Sequence, residues 1–158
     1  MNILRKKGRD LAKEVTELVI MHMECAAHIL NDEDKKINLN IALYNLAVTV
    51  RISLAVACKK HKIGFADNDP IELLFSKTNH VLPREIAVMS KDISYWHDEL
   101  PYVHEPVMSS DEGCAAGKKI QKFYNEYIVK YQEDLWREDE LWRSDESTMH
   151  TSSKIGKF

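Results

Sequence analysis

The sequence predicts an all-α fold, an up-and-down helical bundle of three long and two short helices. Apolar residues recur at intervals of three, four and seven along much of the chain, as they do on one face of a helix. Only five glycines and four prolines occur in 158 residues, too few for the many tight turns of an all-β chain. We therefore expect one bundle domain over residues 1–143 and a flexible polar tail over residues 144–158.

The first predicted helix spans about residues 3–30. Leu18, Cys25 and Ile29 follow one another at spacings of seven and four, which places them on one helix face. We expect that face to be buried in the core of the bundle. His22 falls between Leu18 and Cys25 on the same face and is expected to be a core histidine.

The second predicted helix, about residues 35–62, carries apolar residues around most of its circumference, as a central helix packed on several sides does. Asp32 or Asp34 is expected to cap its first turn, and Gly64 to end it. Arg51 is set in its most apolar part. That arginine is either a member of a buried ion pair or the positive lining of an anion site.

Two shorter helices are predicted next. Asp69 is expected to cap a helix over residues 71–78, with Pro70 in the first helical position. Pro83 opens the following helix, and Pro101 ends it. The predicted inner face of that helix comprises Ile86, Met89, Ile93, Trp96 and Leu100.

A long C-terminal helix completes the predicted bundle. Two prolines keep residues 101–109 irregular, and Ser109 with Glu112 forms a capping box ahead of a helix that reaches about Arg143. Its inner face is predicted to be lined by Ile120, Tyr124, Tyr127, Tyr131 and Leu135.

Composition limits the classes of partner. A net charge of -3 and a pI near 6.2 argue against a DNA-binding protein, since such proteins carry a basic surface that displaces counterions from phosphate. Protein partners are therefore favoured. Polar residues interrupt every long apolar stretch and no cleavable leader is recognisable, so we expect a cytoplasmic protein without membrane contact.

Neither a metal site nor a cofactor is predicted. Glu24 and His28 stand four residues apart, but no second helix offers a matching set of ligands. The three cysteines are far apart in the sequence, which argues against a disulfide framework or a zinc knuckle. They are expected to be buried free thiols, namely Cys25, Cys58 and Cys114.

A tandem hexapeptide near the C-terminus is the clearest candidate for a binding segment, because Leu-Trp-Arg-Glu-Asp-Glu is followed at once by Leu-Trp-Arg-Ser-Asp-Glu. Six residues turn a helix by 240°, so the two tryptophans cannot share a face and at least one is expected to be poorly covered. Tryptophan and arginine are favoured in binding hot spots. The predicted docking residues are Leu135, Trp136, Arg137, Leu141, Trp142 and Arg143. Alternatively, the two tryptophans cap opposite sides of the bundle.

A second segment, Lys91-Asp92-Ile93-Ser94-Tyr95-Trp96-His97, resembles the motif of the HEPN family of helical-bundle ribonucleases and nucleotide-binding domains. In that motif an arginine and then a polar residue precede a histidine. The resemblance covers about residues 35–100 and implies that His97 performs proton chemistry, that Lys91 holds a phosphate and that Asp92 orients, across a dimer. Lysine stands here where the family has arginine, and a lysine cannot grip phosphate with two parallel hydrogen bonds.

Two main hypotheses of function follow, with a metal-dependent bundle enzyme as a third possibility. The leading one is a non-enzymatic helical interaction protein, a small regulator or inhibitor that docks onto a protein partner through its acidic, tryptophan-containing C-terminal helix and forms a homodimer. The alternative is a metal-independent HEPN-type endoribonuclease, or a degenerate nucleotide-binding module, that acts as a dimer on RNA. The chain lacks a nucleotide-binding glycine loop, and its acidic balance favours the first hypothesis.

Overall fold

The computed structural model describes residues 8–32, 38–133 and 158, and all regular secondary structure in those ranges is helical. The prediction of an all-α bundle is therefore confirmed. Within the described ranges the α-helices are α1 (Gly8–Leu30), α2 (Leu39–Lys60), α3 (Ile71–Thr78), α4 (Arg84–Ala87), α5 (Ser90–Asp98) and α6 (Ser110–Phe123). A short 3-10 turn, Leu100–Tyr102, follows α5, and a π-helical turn, Tyr124–Ile128, continues α6 into a last helical stretch over residues 129–133.

The central helix is α2, as its sequence predicts. It packs against α1, α3, α5 and α6, and more than half of its residues are buried. Among the described helices, α2 alone has the length and hydropathy of a membrane span, and 67% of its most apolar window is buried inside the bundle. The core helix of a globular bundle has this same composition, because neighbours cover it on several sides.

The ends of α2 differ from those predicted. Its N-cap is Asn38, whose side chain accepts the Asn40 amide at 2.8 Å, and not Asp32 or Asp34. At the other end the Ile63 amide donates to the Cys58 carbonyl at 2.8 Å, which closes a Schellman motif. The left-handed residue in that motif is Lys62, with φ of 55°, so Gly64 is not the terminator.

The core stripe of α1 is rotated by about one residue from the predicted one. The residues turned inward are Val19, Met23, Ala26 and Leu30. Leu18 and Cys25 are exposed, so their assignment to the core was wrong, whereas Ile29 is buried. Both rows are apolar and have helical spacing, so periodicity alone does not separate them. The choice is made by packing, because α1 contacts both α2 and α6.

The predicted helix from Pro83 to Pro101 is divided into α4 and α5. At the break the Met89 amide donates to the Ile86 carbonyl, three residues back, at 2.9 Å. This tighter bond redirects the chain, so that α4 contacts α6 while α5 contacts α2 and α3. Four of the five predicted inner residues are buried and Met89 is half-buried, so that face is confirmed.

The last helix begins as predicted. Ser109 and Glu112 form a complete capping box. The inner face then changes register at the π-helical turn, where Tyr124 and Ile128 are buried but Tyr127 is 37% exposed. An i→i+5 turn adds one residue to the helix, which moves the buried row past the predicted Tyr127 and Tyr131. The prediction was therefore right for Ile120 and Tyr124 and wrong for Tyr127, whereas Tyr131 is half-buried and Leu135 lies outside the described residues.

A small polar cluster ties this last stretch to α1. The Gln132 side-chain oxygen accepts hydrogen bonds from the hydroxyls of Thr16 and Tyr124, both at 3.1 Å. All three side chains are buried, and burial raises the pKa of the Tyr124 phenol. Of the predicted tail, only Phe158 is described, and it packs against the core beside Gly117.

Candidate functional site

The most exposed apolar area on the N-terminal half of the bundle lies on α1 and α2. Leu18, Met21 and Ile41 are 46%, 54% and 46% exposed, and Cys25 is exposed as well. Scattered exposed apolar residues are ordinary on protein surfaces, whereas contiguous ones mark interaction sites. These four residues therefore mark an interaction site only if they are neighbours.

A hydrogen bond between α1 and α2 shows how the two helices are aligned. His22 Nδ1 lies 2.7 Å from Asn45 Oδ1, which fixes where the two helices face each other. Because consecutive helices with a short connection run antiparallel, Cys25 lies level with Ile41, and Leu18 lies beyond His22 in the opposite direction. At 100° per residue, Leu18, Met21 and Cys25 all lie on one side of His22.

On α2, the rotation of 100° per residue likewise places Ile41 and the half-buried Val48 on one side of Asn45. In an antiparallel pair these two sides form one outer surface. We name this surface the hairpin face, defined by Leu18, Met21, Cys25, Ile41 and Val48.

Charged residues on α1 border the hairpin face unevenly. Glu14 and Glu17 are exposed on the N-terminal side of Met21, and His28 is exposed on its C-terminal side. Glu14 lies seven residues before Met21, and His28 lies seven residues after it. Glu24 is also exposed on the C-terminal side, so both halves carry a carboxylate and one half carries His28 as well.

A second surface feature is an open cleft of about 600 Å³ between α3 and α5, which we name the polar cleft. Its α3 wall consists of Glu72, Phe75, Ser76 and Asn79. Its opposite wall consists of Ala87, Ser90, Lys91 and Ser94. On each wall the residues recur at helical spacing, so the two stripes face each other along the seam between the helices.

The three residues of the HEPN-like motif do not converge within one chain. Lys91 lies on the polar cleft, and Asp92 is exposed in the first turn of α5. His97 faces α2, where its ring lies 5.8 Å from that of Tyr44, and its Nδ1 lies 2.8 Å from Asp98 Oδ1. Six residues turn a helix by 240°, which accounts for the different neighbours of Lys91 and His97.

Arg51 anchors the loop between α2 and α3. Its guanidinium donates to the backbone carbonyls of Asp67 at 2.9 Å and Asp69 at 2.6 Å. The Asp69 carboxylate accepts the Ala66 amide at 3.0 Å and the Lys77 ammonium at 2.9 Å, and these two donors hold its pKa below the ordinary value. Asp69 therefore braces the loop and does not cap α3, whose N-cap is Pro70. Among the described residues Arg51 forms no ion pair, and it holds this loop through its Nη2 group.

The histidine and cysteine side chains lie in different surroundings. Over the described ranges no three histidine, cysteine or carboxylate side chains are grouped to hold a metal ion. His22 is half-buried at the α1–α2 contact. All three cysteines are free, but burial is confirmed only for Cys58, since Cys25 is exposed and Cys114 is half-buried. Burial raises the pKa of the Cys58 thiol.

The predicted docking residues Leu135, Trp136, Arg137, Leu141, Trp142 and Arg143 lie outside the described residues.

The comparisons with known proteins identify no relative, since no family model, curated protein or solved structure matches this chain.

Sequence reasoning missed both surface features. The hairpin face was missed because two of its residues, Leu18 and Cys25, were assigned to the core. A signal for the polar cleft was present, since Glu72, Ser76 and Asn79, like Ser90 and Ser94, stand three or four residues apart. The sequence does not indicate that these two polar stripes face each other.

Proposed function

We propose that this protein is a non-enzymatic helical interaction protein that forms a homodimer through the hairpin face. The observation that carries the proposal is the contiguous apolar surface at Leu18, Met21, Cys25 and Ile41, which no other described part of the bundle covers. Burying such a surface against a second molecule releases the water that contacts it, and this is the main driving force of association. Lys91 and His97 face different neighbours, so a single chain does not assemble the HEPN-like site.

The occupant that best fits this face is a second copy of the chain. In a two-fold symmetric dimer the same patch lies on both sides of the interface. If α1 packs antiparallel to its copy with Met21 at the axis, Glu14 lies opposite His28 of the second copy, and the reverse contact repeats it.

The test is the molar mass in solution, measured by light scattering. We expect twice the chain mass of 18.3 kDa for the wild type and the chain mass itself for Leu18→Glu/Met21→Glu. Two buried carboxylates without partners destabilise an interface strongly, whereas both positions tolerate charge in the free chain because they are exposed.

The matched control carries the same substitutions elsewhere, as Val88→Glu/Tyr102→Glu. These positions are 68% and 79% exposed and lie on other elements. The control is expected to stay dimeric. A wild type that remains at 18.3 kDa at all concentrations, or a hairpin-face variant that stays dimeric, contradicts the proposal.

Cys25 supplies an independent measurement. In the dimer its thiol lies within the interface, so its reaction with a maleimide is expected to be slow in the wild type and fast in Leu18→Glu/Met21→Glu. The assay uses Cys114→Ser to remove the half-buried thiol, and Cys58 is buried in either state. Equal rates in the two proteins would argue against protection by a second copy.

Docking through residues 135–143 remains a prediction from the sequence. Its test compares the variant Trp136→Ala/Trp142→Ala with the wild type in a pull-down that captures the protein partner. If the proposal holds, capture is lost while the dimer mass is retained, since the hairpin face is elsewhere. Unchanged capture discards the docking segment and leaves the dimer unaffected.

The ribonuclease alternative is tested separately. The family resemblance places its site across two copies, so the arrangement in one chain does not decide it. RNA cleavage by the wild type is compared with that by His97→Ala. Equal rates remove the enzyme hypothesis, whereas loss of cleavage in the variant alone replaces our proposal with it.

A further inference from the structure

The aromatic ring of Phe158 lies directly on the backbone of α6. A Cβ built on Gly117 would meet three atoms of that ring, with Cε1 and Cγ only 2.7 and 2.9 Å away. A carbon atom at these distances would overlap the ring, so a glycine is what leaves room for it. Gly117 is buried, and the ring is half-buried and packs against the hydrophobic core. A side chain from far along the sequence therefore occupies a place that a glycine creates.

The part of α1 that lies level with Gly117 follows from the directions of the two helices. Leu30, at the end of α1, lies against Gly113, near the start of α6. Earlier in α1, Thr16 donates to Gln132, which follows α6 in the chain, so the two helices run antiparallel. One turn along α6, from Gly113 to Gly117, therefore corresponds to one turn back along α1 from Leu30.

Ala27 lies at this level of α1, three residues before Leu30. It is on the same side of α1 as Thr16, since the two residues are eleven apart and eleven residues make about three turns. That side faces α6, and Ala27 is 4% exposed. A glycine on α6 and an alanine on α1 thus leave a slot between the helices. We name it the aromatic slot, defined by Gly117 and Ala27.

We propose that the aromatic slot is a receptor site for a phenylalanine side chain, and that Phe158 fills it as a latch which a phenylalanine-bearing peptide displaces. A flat ring covers helix backbone that a glycine leaves bare, and its burial removes a large apolar surface from water. The slot is on a different side of α1 from the hairpin face, because the six residues from Met21 to Ala27 turn the helix by 240°. The latch is therefore independent of dimerisation.

The attachment of Phe158 to the same chain sets how a peptide competes with it. A tethered group competes at an effective concentration of roughly 1 mM. A free peptide consequently binds weakly while Phe158 is in place. Removal of the ring empties the slot without a change in its walls, since the ring is a single half-buried anchor.

The test is the fluorescence anisotropy of a labelled peptide with the sequence of residues 151–158, Thr-Ser-Ser-Lys-Ile-Gly-Lys-Phe, titrated with the full-length protein. The variant Phe158→Ala is expected to bind this peptide. The wild type is expected to bind it at least about tenfold more weakly, because its own ring competes. The same peptide with alanine in place of phenylalanine is expected to bind neither protein.

A second substitution locates the site. Adding Gly117→Leu to Phe158→Ala fills the slot and is expected to abolish peptide binding. Adding Ala115→Leu, on the exposed side of α6, is the matched control and is expected to leave binding unchanged. The proposal is overturned if Phe158→Ala does not bind the peptide, if the wild type binds it equally well, or if Gly117→Leu leaves its binding intact.

A measurement without peptide tests the contact itself. Gly117→Ala is expected to lower the melting temperature Tm of the wild type, because the new Cβ must displace the ring. In the Phe158→Ala background the same substitution is expected to raise Tm by about 2–4 °C, because alanine forms helix better than glycine. Equal changes of Tm in the two backgrounds would show that the ring does not rest on Gly117.

The molar mass of Phe158→Ala identifies the chain that supplies the ring. Light scattering is expected to give the mass of the wild type, since each ring lies in the slot of its own chain. A lower mass for Phe158→Ala would mean that the ring of one copy fills the slot of another, and it would overturn the latch.

Discussion

Lys62 occupies the left-handed region of backbone conformation, with φ of 55°. The position closes the Schellman motif at the end of α2, where glycine is the usual residue because it has no Cβ. A lysine there is strained by about 1–2 kcal/mol relative to a right-handed conformation. The hydrogen bonds of the motif hold it in place, namely Lys62 to the Lys59 carbonyl and Ile63 to the Cys58 carbonyl.

We predict that Lys62→Gly stabilises the protein by about 0.5–1 kcal/mol, because glycine adopts the left-handed conformation without strain. The greater freedom of glycine in the unfolded chain offsets part of the gain. Urea unfolding followed by circular dichroism measures the change. Lys59→Gly, three residues earlier and inside the helix, is expected to lower stability by about 1 kcal/mol. Destabilisation by both substitutions would contradict this account of the helix end.

Asp69 makes stability depend on pH. Its two donors, the Ala66 amide and the Lys77 ammonium, lower its pKa in the folded state. The unfolded chain therefore binds this proton more readily, so the stabilisation is complete above the unfolded pKa of about 3.9 and is lost as pH falls through the folded value.

Asp69→Asn is accordingly expected to be less stable than the wild type at pH 6, with the difference shrinking as pH falls below about 4. Free energies of unfolding from urea titrations across this range measure it. A difference that stays constant down to the acid transition would show that the carboxylate charge does not brace the loop.

At the scale of elements, Gly113 lies where α6 packs against the side chain of Leu30 on α1. A Cβ built on Gly113 would lie 2.6 Å from Leu30 Cδ2 and 3.6 Å from Leu39 Cδ2. The residue is buried, and Leu30 is 4% exposed. The first distance is shorter than carbon atoms tolerate, so any larger residue must displace Leu30 or separate the helices.

Gly113→Val is therefore expected to destabilise the protein by about 1–3 kcal/mol, the usual cost of overpacking a core. Thermal unfolding measures the loss. Ala115→Val lies two residues away on the exposed side of the same helix, and its cost is expected to be only a few tenths of a kcal/mol from helix propensity. Equal losses of stability in the two variants would mean that Gly113 does not lie at a close contact between helices.

At the scale of the whole molecule, association and stability are linked. A homodimer that dissociates on unfolding has a Tm that rises with protein concentration. We predict such a rise for the wild type and none for Leu18→Glu/Met21→Glu, measured by calorimetry over a wide concentration range. A wild-type Tm that does not change with concentration would contradict dimerisation through the hairpin face.

Much of the fold was open to prediction from local chemistry. The Ser109–Glu112 capping box and the inner residues Ile86, Ile93, Trp96 and Leu100 were predicted from a few neighbouring residues and found as expected. Such features depend on hydrogen bonds within one turn and on a fixed angle per residue, both of which are properties of the helix alone.

The candidate sites were not open to prediction in this way. Leu18 and Val19 belong to two apolar rows of α1 that differ by one residue, and only the contacts with α2 and α6 turn the second row inward. The π-helical turn at Tyr124 likewise moved the buried row away from Tyr127. Single-residue rotations of this kind leave the fold unchanged but decide which side chains reach the surface.

By itself the sequence determined that the chain folds into helices with α2 at the centre, because hydrophobic periodicity is a local property of the chain. The tertiary structure decided that Leu18 faces outward and that Ser94 faces a cleft beside Lys91 and Glu72. The physical reason is that a surface or a cleft is made by residues distant in sequence, and their relative placement depends on how whole helices pack.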